Sequence, residues 1–302
     1  MPNVAVSHLL RLQSDDGGFG AYPGAESRTE STALAALALL RASETDVAEA
    51  AAAALGWLES SQLASGAWPL APGFREASWS TSLAVLALSY EGDPGVIEAG
   101  ARWLIDEEGR GATWWVRLLF KLFPARKTVD LDTDLVGWPW ASGTFSWVEP
   151  TSYAMVALKR LRGVMGSPGR LEARLADADL LLADRACVGG GWNYGNKRVF
   201  EEDLWPYPDT TAVALLALAD RGDLPSVSEA LDVLPGMLAD NQSMLALSLG
   251  SLALAAHRRD AAQPRAWLSD RLATGETGEI RALAWAALAL AENDDVLGLS
   301  GG

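Results

Sequence analysis

Two kinds of helical stretch alternate along the chain. One kind is apolar at nearly every position, as in Ala33-Leu34-Ala35-Ala36-Leu37-Ala38-Leu39-Leu40 and again from Ala212 to Leu218. A helix that is apolar all round must be buried on most sides. The other kind carries charge, as Glu172, Arg174, Asp177 and Asp179 do. The wealth of Ala and Leu favours helix. Read in order, the pattern predicts helices at 3–13, 30–41, 46–62, 80–90, 95–108, 151–162, 170–185, 209–220, 226–238, 242–256, 264–273 and 279–292. The second member of each pair is the apolar one. Six buried helices surrounded by six amphipathic ones give an all-α fold, an (α/α)6 barrel or toroid, as a single domain over 1–302. The turns that lead from outer to inner helices then gather at one mouth of the barrel.

Those turns repeat a sentence, the mark of a repeat fold. Gly190-Gly191-Trp192 leads to Trp205-Pro206-Tyr207-Pro208-Asp209-Thr210-Thr211. Asp16-Gly17-Gly18-Phe19 leads to Glu30-Ser31-Thr32, Gly66-Ala67-Trp68 to Trp79-Ser80-Thr81, and Gly143-Thr144-Phe145 to Glu149-Pro150-Thr151. Glu30, Glu149 and Asp209 therefore share one equivalent place, which Trp79 fills in a fourth repeat. A carboxyl in an apolar, aromatic cavity has a raised pKa and can serve as a general acid. An acid at a helix start also suits the macrodipole. Asp209 stands where an N-cap is expected, and Pro150 where the first helical residue is expected.

Trp79, Trp147, Trp205 and Tyr207 lie next to inner-helix starts and are expected to line a pocket, with Trp138, Trp140 and Tyr194 nearby. Phe19, Trp68 and Trp192 read as turn-packing residues. Arg28, Arg75, Lys197 and Arg198 precede inner helices, where they could hold a diphosphate.

The formal charge of −15 argues against a nucleic-acid partner. Cys187 alone excludes an internal disulfide and suits a reducing compartment. With His8 and His257 it leaves too few ligands for an ordinary structural zinc site. No stretch reads as a signal peptide or a spanning helix, so a cytoplasmic location is expected. An insert at about 109–137 interrupts the rhythm. Its segment from Trp114 to Phe123 is aromatic and aliphatic, with Arg117 and Lys121 on one helical face. It reads as a lid over the mouth, as a membrane-contacting helix that would make the protein peripheral to a membrane, or as a docking helix. Asp130 to Asp134 lacks the glycine and glutamate of a calcium loop, since Leu135 and Ala141 stand at those places.

One spacing is more specific. Trp57-Leu58 is followed by Gln62, Gly66 and Trp68, and His8-Leu9 by Gln13, Gly17 and Phe19; Trp267-Leu268 keeps part of it. This resembles the Gln-Trp repeat of squalene and oxidosqualene cyclases, in the terpenoid cyclase and protein prenyltransferase toroid superfamily. The resemblance implies the toroid fold. It also implies a class II cyclase-like activity, an isomerase or lyase acting on an isoprenoid. The cyclase motif Asp-x-Asp-Asp-Thr-Ala matches here at Asp209, Thr211 and Ala212, with Tyr207 and Thr210 replacing its flanking acids. Gly190-Gly191-Trp192 with Asn196-Lys197 is similar to the prenyltransferase pattern, but Thr211 stands where that family has a zinc-binding cysteine. The expectation is acid-initiated cyclisation or isomerisation of a hydrophobic, isoprenoid-like substrate in a hydrophobic cavity. Asp209 would be the acid, and Glu149 and Glu30 would tune or replace it. No metal and no cofactor are expected, with Mg2+ entering only if the substrate is a diphosphate. The rival is a non-catalytic toroid that binds a hydrophobic ligand or a partner protein. A third class, a polysaccharide-active enzyme, would need paired carboxylates along an open groove.

Overall fold

The computed structural model describes residues 3–43, 47–109, 131–165, 168–275, 278–293, 295 and 297–298. Twelve helices run through them: α1 (Val4–Leu12), α2 (Thr29–Leu40), α3 (Ala48–Ser60), α4 (Thr81–Glu91), α5 (Pro94–Asp106), α6 (Val148–Arg160), α7 (Pro168–Arg185), α8 (Pro208–Ala217), α9 (Pro225–Asp240), α10 (Met244–Ala256), α11 (Ala262–Ala273) and α12 (Ile280–Ala289). The even-numbered helices pack in a ring, α2 on α4 and onward until α12 returns to α2. Each odd-numbered helix lies outside that ring, against its even neighbours. The ring is sewn shut where Asn3 donates from Nδ2 to the carbonyl of Ala287 at 2.8 Å. The inner helices are buried along almost their whole length, as their all-round apolar sequences require.

The repeated turns work by one device. The buried aromatic of each glycine turn donates its backbone N–H to a threonine in the first turn of the inner helix. Phe19 pairs with Thr32 at 2.9 Å, Trp68 with Thr81 at 2.9 Å, Trp138 with Thr151 at 3.0 Å and Trp192 with Thr211 at 2.9 Å. The three indoles donate in turn to carbonyls of the preceding outer helices, those of Leu58, Leu104 and Leu182. Gln62 Nε2 bonds the carbonyls of Gly66 and Val96, and Gln13 Nε2 those of Gly17 and Ala50, tying each turn to the next outer helix. At Gly66 (φ 90°) a Cβ would lie 2.5 Å from the carbonyl oxygen of Ala99, so only glycine admits that outer helix so close.

Four local expectations are corrected. The turn that serves α6 is Gly137-Trp138, whose buried aromatic pairs with Thr151, and not Gly143-Thr144-Phe145, whose phenyl ring is exposed. Asp209 is not an N-cap: Tyr207 holds that place, Pro208 follows as the first helical residue, and Asp209 makes no capping bond. Helix α6 starts before Pro150, at Val148, which a proline tolerates because first-turn N–H groups have no partner to lose. The long loop before α8 contains a hairpin, Arg198–Val199 against Glu202–Asp203, whose tip residues Phe200 and Glu201 have φ of 50° and 67°. Of the insert, 110–130 lies outside the described residues, and with it the expected lid or membrane helix at Trp114 to Phe123. The end of the insert docks on α7, where the Asp132 N–H donates to Asp184 and Arg185 donates to the Asp132 carbonyl. No described helix is long and apolar enough to cross a membrane.

Candidate functional site

Because the inner helices run parallel, their first turns meet at one mouth. Glu30 of α2 and Glu149 of α6 both accept from one guanidinium there: Arg281 reaches Glu30 Oε1 with Nη1 at 3.2 Å and Glu149 Oε1 with Nη2 at 3.0 Å. Helix α12 is the neighbour of α2 and stands across the ring from α6. The Arg281–Glu149 pair therefore spans the mouth. One turn deeper, the Tyr153 and Trp285 rings stack across the same diameter at 6.3 Å, and Trp79 stacks on Tyr153 at 5.7 Å. The Tyr153 hydroxyl lies 3.4 Å from Glu149 Oε1.

This layer closes the barrel below the mouth. Leu34, Leu83, Tyr153, Val213 and Trp285 each follow a mouth residue by one helical turn, and all are at most 2% exposed. Behind Trp79 a cavity of about 10 Å³, lined by Trp103, Trp138 and Pro150 among others, holds at most one water. The site formed by the described residues is thus a shallow cup, with charge on its wall and aromatic rings as its floor.

Burial dominates the electrostatics. It pushes the Glu149 carboxyl above its ordinary value of 4.5; Arg281 opposes the shift, and the charges of Asp209 and Glu30 reinforce it. Burial likewise raises Glu30 against the pull of Arg281, with Glu279 adding repulsion. Burial works to lower Arg281, but the charges of Glu149, Glu30 and Glu279 outweigh it and hold the guanidinium firmly charged. Tyr153 is driven well up by its burial and by Glu149. Asp209 is half-buried and lies within electrostatic reach of Glu149 and of Tyr194. Among the described residues no cation pairs with it.

The other expected site residues divide. Trp140 packs edge-on against Trp79 at 4.9 Å, and Tyr194 and Tyr207 form a half-exposed ring pair at 5.1 Å. Trp147 lies against Gly195, where a Cβ would sit 3.4 Å from its ring. Trp138 is buried in its turn beneath the Arg174 guanidinium, 4.2 Å away. Trp205 projects into solvent. Lys197 pairs with Asp184 of α7 at 3.5 Å, and Arg198 with Asp203 across the hairpin at 3.1 Å. Arg75 is exposed; Arg28 is exposed too, though its charge reaches Glu30. The basic residues expected to hold a diphosphate are thus not brought together.

Arg281, Tyr153 and Trp285 were missed. A signal existed for Arg281. Arg281-Ala282-Leu283-Ala284-Trp285-Ala286-Ala287-Leu288 aligns with Glu30-Ser31-Thr32-Ala33-Leu34-Ala35-Ala36-Leu37, placing Arg281 in the slot of Glu30 and Trp285 in that of Leu34. The threonine and glycine-aromatic turn that mark the slot elsewhere are absent there.

The sequence matches no protein-family model and no curated protein. Solved structures share the fold at low identity. A protein from Actinoplanes is 16% identical, with a TM-score of 0.62 over 98% of each chain. A glycosidase is 12% identical, with a TM-score of 0.61 over 98% of this chain and 95% of that one. The type II terpene cyclase MstE from Scytonema, without ligand, is 16% identical, with a TM-score of 0.58 over 97% of each chain. The chain has a terpene cyclase-like all-α toroid fold, one that a glycosidase also uses.

Proposed function

We propose that the mouth is an acid–base site for a hydrophobic, isoprenoid-like substrate that presents one reactive end to the cup, and that the reaction is an acid-initiated cyclisation or isomerisation. The carrying observation is Glu149, buried against Tyr153 and sharing a single arginine with Glu30 while Asp209 stands near. Two carboxyls on one guanidinium, with the charge of a third acting on Glu149, favour a proton on Glu149, since like charges in a site of low polarity cannot all ionise cheaply. Glu149 is the most buried of the three and is the acid; Asp209, more open, is the base that takes a proton from the product cation. The rings of Trp79 and Tyr153 would face the developing positive charge. MstE, which shares the fold, has been captured with its substrate geranylgeranyl dihydroxybenzoate, an isoprenoid-bearing molecule. The chemistry uses the chain's own carboxyls and no cofactor; Mg2+ would enter only with a diphosphate substrate.

The test is incubation with prenyl alcohols and prenylated arenes in deuterated water. Solvent deuterium in a rearranged product is expected, and Glu149→Gln is expected to lower turnover about 10²- to 10⁴-fold with the fold intact. Products free of deuterium would overturn the acid-initiated step. Full turnover in Glu149→Gln would remove Glu149 as the acid. The packed layer beneath the mouth favours a second reading, a non-catalytic toroid holding a ligand or partner at the cup. Tight binding of such a prenyl compound without turnover would establish it.

A further inference from the structure

The charges at the cup are unevenly paired. Glu30, Glu149, Asp209 and Glu279 act on one another there, against Arg281 and the exposed Arg28. Arg281 is committed to two of the four. Asp209 is left with no cation among the described residues, and the rings of Tyr194 and Tyr207 stand half-exposed beside it. Carboxylate plus aromatic faces is the recognition chemistry of organic ammonium ions. In the cup floor the Trp285 indole N–H, 1% exposed, has no partner among the described residues; as a donor it would be met by an acceptor on the ligand, such as a hydroxyl, and not by an ammonium itself. Of the four basic residues that could meet an anionic head, Lys197 and Arg198 are held by Asp184 and Asp203, and the exposed Arg28 and Arg75 are not brought together with them.

We infer that the mouth binds an organic cation, an amine or quaternary ammonium head, held by Asp209 against the exposed surface of the Tyr194–Tyr207 ring pair. The inference rests on the mouth being the ligand site but not on Glu149 acting as an acid. It specifies the head group of the hydrophobic ligand as a cation in preference to an anion.

Three probes of one shape and different charge test it: choline, its neutral carbon isostere neohexanol, and the anion tert-butylacetate. Calorimetry and saturation-transfer NMR on the full chain should show choline binding about tenfold more tightly than neohexanol, with tert-butylacetate weakest. Asp209→Asn and Tyr207→Leu should each reduce choline affinity and leave neohexanol unchanged, at unaltered melting temperature. Equal affinity for choline and neohexanol, preference for the anion, or unchanged choline binding in Asp209→Asn would overturn the inference. Choline binding retained in a Glu149→Gln protein that never turned over a prenyl substrate would support it while removing the catalytic reading. Turnover of a neutral prenyl substrate without choline binding would do the reverse.

Discussion

At the residue scale the decisive contact is Arg281 between Glu30 and Glu149. The arginine is about four-fifths buried and the Glu149 carboxyl is more buried still, so removing the cation strands two acids. Arg281→Met should destabilise the fold by about 3 kcal/mol, the usual consequence of breaking a buried pair from one side. The loss should be smaller in mild acid, where both glutamates take up protons and need no counter-charge. Urea titrations at several pH values would show this. The wild type has its own pH dependence with the same origin. Glu30 and Glu149 have folded pKa values above their unfolded ones, so between the two values the folded state binds more protons. The stability these groups contribute is therefore present below the ordinary 4.5 and falls as pH rises through the folded values. Glu149→Gln should flatten that slope. The acidic slot was legible in the sequence at Glu30, Glu149 and Asp209, because each precedes a threonine that the turn device needs. Arg281 was not, because α12 keeps the slot and loses the device.

At the scale of the helix and its turn, two adjacent threonines allow a clean comparison. Thr211 Oγ1 accepts the buried N–H of Trp192, and Thr210 Oγ1, equally buried, has no partner among the described residues. Thr211→Val should cost about 1–3 kcal/mol, the penalty of an orphaned buried donor, whereas Thr210→Val should be neutral or stabilising. Gln62→Ala should cost about 1–2 kcal/mol, since it deletes two bonds joining the turn to the next outer helix. Thermal melts of the three variants would rank them. The device also explains why the inner helices were found from sequence within a few residues of their ends, while the capping role of Asp209 was misplaced. A proline after Tyr207 starts α8 one residue before Asp209, whereas the sequence reading set the cap on Asp209, a residue type that favours that place.

At the scale of the molecule, the ring of six inner helices was legible because all-round apolar helices have no other stable place. Its filling was not. The aromatics at the inner-helix starts were expected to line a pocket in a hydrophobic cavity, yet Tyr153 and Trp285 meet across the ring and seal it one turn down. Inward and outward faces of a helix that is buried all round look alike in sequence. The account therefore turns on whether the cup holds a proton as its geometry implies. Infrared difference spectroscopy of carboxyl groups, wild type against Glu149→Gln, measures this without a substrate. The account predicts a protonated carboxyl band that persists to pH values above the ordinary 4.5 and loses its Glu149 component in Glu149→Gln, leaving that of Glu30. Identical titrations in the two proteins, with every carboxyl ionised in the usual range, would contradict it.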